Sequence, residues 1–288
     1  MRAGIRGPGA GIRDPGSGIR GPGSAGRTYL SLIAIMLMIA IGASVAAQEG
    51  WFSRGERRRD APEAAGNTPY DGRFVFVRLQ YGSGLSQFRG FRRGGREAGW
   101  AHDYPRADVH FMKILDEITN LVPRMDGSNV LALDDEQLFE YPFAYMSEPG
   151  FWDPTDAEVA GLRAYLAKGG FLIFDDFRGS DWYNVEEQMR RVVPEGRFVD
   201  VDATHPVFHA FFEIDAPQDF VPPYGGMPPR FLGLFEDNDP SKRLMVVANL
   251  NNDLGEYWEF SDTGFVPIDL SNEAYKFGVN YVVYAMTH

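Results

Sequence analysis

Two acidic dipeptides are the first candidates for chemistry. Asp134-Asp135 follows the apolar run Asn129 to Leu133, and Asp175-Asp176 follows Phe171 to Phe174. Ligands of open α/β sheets bind beyond the carboxyl ends of the strands, which is where both pairs fall if these runs are parallel strands. Were the two strands neighbours, four carboxylates would gather on one rim. Like charges that close push protons back on, or call for a cation or for hydrogen-bond donors from a ligand. Carboxylates whose proton affinities are driven apart can act as acid and base in hydrolysis. The competing reading is local, since an Asp after a strand commonly caps the next turn or helix.

Other groups join these candidates. His205, His209 and Glu213 recur at four-residue spacing in THPVFHAFFEI. On one helix they would share a face and could hold zinc. Pro206 bars His205 from helical geometry, and neither HExxH nor a third histidine follows, so no metal site is expected and His205 is at most an assisting residue. The stretch Gln137 to Trp152 is dense in aromatics and prolines. It is expected to fold over the sheet edge and present Tyr141, Phe143, Tyr145 and Trp152, either as a sugar-binding platform or as core. Finally, ANLNNDLGEYWEF places Asn252, Asp253, Glu256 and Glu259 around Tyr257 and Trp258. That cluster suits a carbohydrate or a hard cation, or simply turn chemistry.

Equally telling is what the chain lacks. It has no cysteine, hence no thiol nucleophile and no disulfide. It has no GxSxG elbow, and Gly82 to Gly99, with Arg89, Arg92, Arg93 and Arg96, lacks the order of a phosphate loop. That segment reads as an exposed flap. The first 47 residues hold five arginines and one aspartate, so the net charge of −12 becomes about −16 for the remainder. A domain this acidic is a poor partner for nucleic acid.

The elements that must position these residues are legible. Thr155 and Glu158 have capping-box spacing, and Val159, Leu162 and Leu166 give the following helix an apolar face. Gly169 and Gly170 end it, and Phe171 to Phe174 then form a strand covered on both faces. Phe74 to Val77 and Asn129 to Leu133 read as further buried strands, and Arg197 to Val201 as another. Helices are expected over Pro105 to Val122, Trp182 to Val193 and, capped by Ser271, Asn272 to Met286. Phe231 to Phe235 and Leu244 to Ala248 read as a hairpin around Asp239-Pro240.

Upstream, residues 1–28 carry a seven-residue Gly/Pro/Arg repeat that cannot pack. Residues 29–47 combine a basic flank, an apolar run from Leu30 to Ile41 and small residues at Val45 and Ala47. These are the parts of a secretory signal peptide cleaved after Ala47, or of an uncleaved membrane anchor. Residues 48–69, with Arg54, Arg57, Arg58 and Arg59, read as a linker to a single domain at 70–288. The expected location is extracytoplasmic, periplasmic or anchored to the inner membrane, with membrane contact only through 29–47.

The segments FVFVRLQYG, WAHDYPRAD, VLALDDEQLFEYPFAYM, LRAYLAKGGFLIFDDF, HPVFHAFFEI, NNDLGEYWE and AYKFGVNYVVYAMTH together resemble the bacterial family catalogued as domain of unknown function 4159. The resemblance spans about Arg73 to His288. It implies a three-layer α/β domain, flavodoxin-like and similar to class I glutamine amidotransferases, with a mostly parallel sheet, helices on both faces and here an additional C-terminal hairpin. It brings no established reaction. The amidotransferases carry a catalytic cysteine, and this chain has none, so fold likeness does not carry that activity across. Two functions follow. One is a non-catalytic binding or assembly module of the cell envelope, meeting a glycan, peptide or protein partner through an Asp-rich rim with Tyr141, Tyr145, Asn252, Asp253 and Trp258. The other is an extracytoplasmic hydrolase using Asp134, Asp135, Asp175 or Asp176, with His205 assisting and a metal ion as an option. No cofactor is expected for the first.

Overall fold

The computed structural model describes residues 66–82, 99–223 and 225–288. The repeat, the apolar leader, nearly all of the linker and the arginine-bearing flap lie outside the described residues. The chain divides into two units, Met1–Asp60 and Ala61–His288, and every described residue falls in the second.

Seven strands form one sheet in the order β2-β1-β3-β4-β7-β6-β5. β1 (Val77–Gln80), β2 (Asn129–Ala132), β3 (Phe143–Ser147), β4 (Phe171–Phe177) and β7 (Leu244–Leu250) run parallel to one another. β6 (Arg230–Phe235) pairs antiparallel with β7, and the two-residue β5 (Val199–Asp200) pairs antiparallel with β6. The sheet is thus mostly parallel and the fold is of the α/β class.

The side chains explain why strands so apolar sit at the centre. β3, β4 and β7 are buried along almost their whole length, so both faces must be covered. On one face, Phe76, Tyr145, Ile173 and Val247 pack with α1 (Arg106–Ile118), the short α4 (Leu254–Glu259) and α5 (Ile268–Thr287). On the other, Leu79, Ala144, Phe174 and Val246 pack with α2 (Asp156–Ala167) and α3 (Asp181–Val192). The Thr155–Glu158 capping box is present in both directions, and Gly169, at φ +107°, takes the left-handed conformation that ends α2.

Three expectations need correction. The aromatic stretch is not a cover over the rim: Phe143 to Ser147 are β3, between β1 and β4. Proline at 142 and aromatic density masked a fully buried strand, which shows no alternation to read. Ser271 does not cap the last helix, which starts at Ile268 and buries Ser271 within it. β4 does not stop at its acidic pair but continues to Phe177, with a register shift between Phe174 and Phe177. Asp175 and Asp176 therefore sit on a bulge, and Asp176 adopts a left-handed φ of +56°.

The outer margins of the sheet are both modified. Along β2, the Asn67 amide donates to Val130 O and accepts from Val130 N, imitating a neighbouring strand, while Ala132 O accepts from Asp135 N. Along β5, Asp200 holds Arg230 through both of its carboxylate oxygens.

Candidate functional site

Alternation along the strands builds the site. On the α1/α4/α5 face, each central strand changes from apolar to polar at nearly the same level: Phe76 is followed by Arg78, Tyr145 by Ser147, Ile173 by Asp175 and Val247 by Asn249. Ser147 lies beside Asp175 in register. The result is a buried polar row at the carboxyl ends of four adjacent strands, closed over by α4 and by residues 99–105.

Asp175 is fully buried and saturated. Its Oδ2 accepts from Tyr145 Oη at 2.9 Å, Leu254 N at 2.8 Å and Gly255 N at 3.1 Å, and its Oδ1 accepts from Asn249 Nδ2 at 3.0 Å. Asn249 in turn accepts from Tyr281 Oη at 2.8 Å. The carboxylate thus ties the start of α4 to β4, β3 and β7. Burial pushes its pKa up to about 6, against the lowering effect of Asn249 and Tyr145.

Arg78 places the covering loop. Its guanidinium grips both oxygens of Asp108 and donates from Nη1 to Trp100 O at 3.0 Å and His102 O at 2.9 Å. That delivers His102 and Asp103 to the rim. His102 Nδ1 stands 2.9 Å from Asp176 Oδ2 and 3.1 Å from Asp103 Oδ1. Burial opposes charge on this imidazole, but the two carboxylates prevail and raise its pKa well above the ordinary value. Asp103 is likewise buried, yet the adjacent His102 holds its carboxyl below the usual range.

From α4 come two more carboxylates. Asp253 is buried and caps the helix by accepting from Glu256 N at 2.8 Å. Burial, followed by Asp176 and Asp103, raises its pKa well above the usual range. Together His102, Asp103, Asp253 and Glu256 offer ligand atoms that all lie within 4.8 Å of one another. Gly255 makes this approach possible, because a Cβ there would lie 2.5 Å from Asp103 Oδ2 and 2.9 Å from Tyr145 Oη. Asp103, Glu148, Asp176 and Asn251, four of the six described non-glycine residues with positive φ, border this rim. Beside Asp176, a small cleft lined by Arg178, Pro222, Met227, Asn251 and Asn252 opens outward. The larger cleft, of about 480 Å³ beside Glu186, Arg190 and Arg197, borders the end of α3 and carries none of these groups.

Residues 75–286 match the family model described as Domain of unknown function (DUF4159). The chain belongs to that family. A comparison with curated proteins finds no match. In this DUF4159 chain, every residue of the rim lies within the matched span.

The residues expected to act together are only partly brought together. Asp134 and Asp135 do not join Asp175 and Asp176: β1 and β3 stand between β2 and β4, a separation of roughly 14 Å at the usual strand spacing. Asp134 is exposed, and Asp135 accepts from Gln137 N at 2.9 Å as a local cap. His205 lies at the opposite rim, against Phe235 and Tyr284, where its Nδ1 accepts from Val207 N at 3.1 Å and burial lowers its pKa. Tyr141, Tyr145, Trp152 and Trp258 form no exposed platform. Tyr141 accepts from Asn129 Nδ2, Tyr145 serves Asp175, and Trp152 and Trp258 are fully buried in the two cores. Asn252 and Asp253 do reach the rim.

Sequence reasoning grouped Glu256 with Asp253 but missed His102 and Asp103 as their partners and as those of Asp176. WAHDYPRAD was noticed only as part of a resemblance, and its neighbour in space is 150 residues away in sequence. One signal was available: Arg78, Ser147, Asp175 and Asn249 are each the first polar residue on an alternating face of a buried strand.

Proposed function

We propose that this domain is a binding or assembly module of the cell envelope, which takes a glycan, peptide or protein partner at the rim around Asp176, His102 and Asn252 without covalent chemistry. The observation that carries this reading is the state of Asp175. It is the carboxylate nearest the centre of the rim, and four protein donors already occupy it as a brace for α4. The absence of cysteine and of a serine elbow supports the same reading. Export, through residues 29–47, belongs to it as well, and membrane contact would be confined to that segment. The acidity of the chain argues against nucleic acid.

The finer fold assignment is part of the proposal. The five parallel strands stand in the order 2-1-3-4-7, which matches the flavodoxin-like order 2-1-3-4-5 when β7 is counted fifth. In that arrangement, which the class I glutamine amidotransferases resemble, ligands bind where strand order reverses, between β1 and β3. Here Tyr81 and Glu148 border that point, with Tyr81 Oη donating to Ser147 O and Glu148 O.

One observation favours a hydrolase instead. His102 stands between Asp176 and Asp103, which favour its protonated form and so suit it to a general acid. Both readings are tested by presenting envelope glycans, peptides and esters to the full chain and to Asp176→Asn, scoring capture and turnover. The module reading expects capture without turnover, weakened at least tenfold by Asp176→Asn at an unchanged unfolding midpoint. Turnover abolished by the same change would replace it with the hydrolase. Neither capture nor turnover would remove the rim as a site.

A further inference from the structure

We infer that His102, Asp103, Asp253 and Glu256 form a binding site for one divalent cation of the Mn²⁺ or Zn²⁺ kind, deepening the rim reading on which it rests. Three carboxylates and one imidazole make a mixed oxygen and nitrogen donor set. Imidazole suits zinc, iron and other transition ions, and carboxylates suit manganese, magnesium and calcium, so the mixture points to a borderline cation. The four ligand atoms lie within 4.8 Å of one another, a spread that a single ion can bridge. Ligands on opposite sides of a small octahedral ion at about 2.0–2.1 Å are roughly 4.0–4.2 Å apart, and those of a tetrahedral zinc at about 2.0–2.2 Å roughly 3.3–3.6 Å apart, so the widest pair closes by under about 1 Å for the first and by about 1–1.5 Å for the second.

Sequence and fold converge on this arrangement. Asp253 and Glu256 stand three residues apart across the first turn of α4 and so project on one side of it. Asp103 is turned toward them by a left-handed backbone, and Gly255 leaves room for its carboxylate. Charge points the same way. Asp175 and Asp176 add to the three ligand carboxylates, while the nearby Arg78 and Arg106 are engaged by Asp108 and Asp262. Buried charge of one sign is costly, and a divalent cation offsets it.

Two polar side chains outside the donor set supply an independent pointer. Ser147 Oγ and Asn252 Nδ2 are buried with no hydrogen-bond partner among the described residues. Ser147 stands beside Asp175 on the covered face, and Asn252 immediately precedes Asp253 and lines the cleft with Asp176. Buried polar groups are ordinarily satisfied, and a bound ion with its own water or ligand provides the missing partners. A second group, His209, Glu213 and Asp215, has comparable spacing but not this character. Both ring nitrogens of His209 are engaged, by Glu213 and by Ala203 O, and the two acids are exposed.

The experiment is titration of the full chain, stripped with chelator, with Mn²⁺ followed by electron paramagnetic resonance, and with Zn²⁺ as competitor. The expected result is one Mn²⁺ per chain, displaced by Zn²⁺. Affinity should fall at least tenfold in Asp253→Asn and in Glu256→Gln, and stay unchanged in His209→Ala. Unfolding midpoints in chelator show whether each variant is folded, and Glu256→Gln carries the test if Asp253→Asn is not. No binding by the folded wild type at millimolar metal overturns the inference. So does binding retained in Glu256→Gln, or binding lost in His209→Ala. Capture of an envelope ligand that persists in chelator, with no metal bound, sinks the cation and spares the rim. Metal bound normally with no ligand captured does the reverse.

Discussion

Asp134-Asp135 and Asp175-Asp176 follow strands of similar apolar character, yet they live in different environments. The first pair ends a strand at the sheet margin, where Asp134 meets solvent and Asp135 caps a turn. The second pair ends up inside the sheet, on a bulge between β3 and β7, where Asp175 has no exposed surface and Asp176 meets His102. Residue type is the same in both. Location in the strand order decides which carboxyl is desolvated, and burial raises the pKa of Asp175.

The comparison can be broken most decisively at Asp175. Asp175→Ala leaves Tyr145 Oη, Asn249 Nδ2 and two amides of α4 without an acceptor, and should cost about 4 kcal/mol or more, read from chemical denaturation. A loss near 1 kcal/mol would mean that the brace is dispensable. The same residue makes a pH prediction. Its carboxyl is raised to about 6 from 3.8, so the folded state holds that proton more tightly than the unfolded chain does. The stabilisation is complete below 3.8 and is lost as pH rises through 6. Stability of the wild type relative to Asp175→Asn should fall across that window, by up to roughly 3 kcal/mol.

Next in size is Gly255→Ala, whose methyl group would press on Asp103 and Tyr145. It should destabilise by about 2–3 kcal/mol, since both neighbours are themselves held in place. A neutral result would show that α4 stands off the rim. At the β2 end the effects shrink. Asp135→Ala removes a cap and should cost about 1 kcal/mol. Asp134→Asn should stay within about 0.5 kcal/mol, as surface changes do. A large effect at Asp134 would erase the contrast between the two pairs.

Much of the fold was legible in the sequence because it is written locally. The Thr155–Glu158 box, the 3.6-residue periodicity of α1, α2 and α3, and the apolar runs of β4 and β7 each declare themselves within a dozen residues. β3 did not, because a strand buried on both faces and rich in aromatics has the composition of a core loop. The site was less legible for a different reason. Asp175, Asp176 and Asp253 could be noticed singly, but their grouping depends on strand order and on Arg78 drawing residues 100–102 over the rim, both of which are long-range. The assumption that β2 and β4 adjoin was the step that failed, and only pairing could have tested it.

The treatment of the sheet margins has a consequence for how molecules of this protein meet one another. An unpaired strand edge invites a second chain to add to it, the first step toward fibrils or swapped assemblies. On the β2 side that invitation is withdrawn at Val130 by the Asn67 amide, which occupies the backbone groups an incoming strand would need. On the β5 side two residues and a charged pair leave too short a template. Copies of this domain are therefore expected not to join edge to edge at high concentration, and Asn67→Ala to be the change that first allows it.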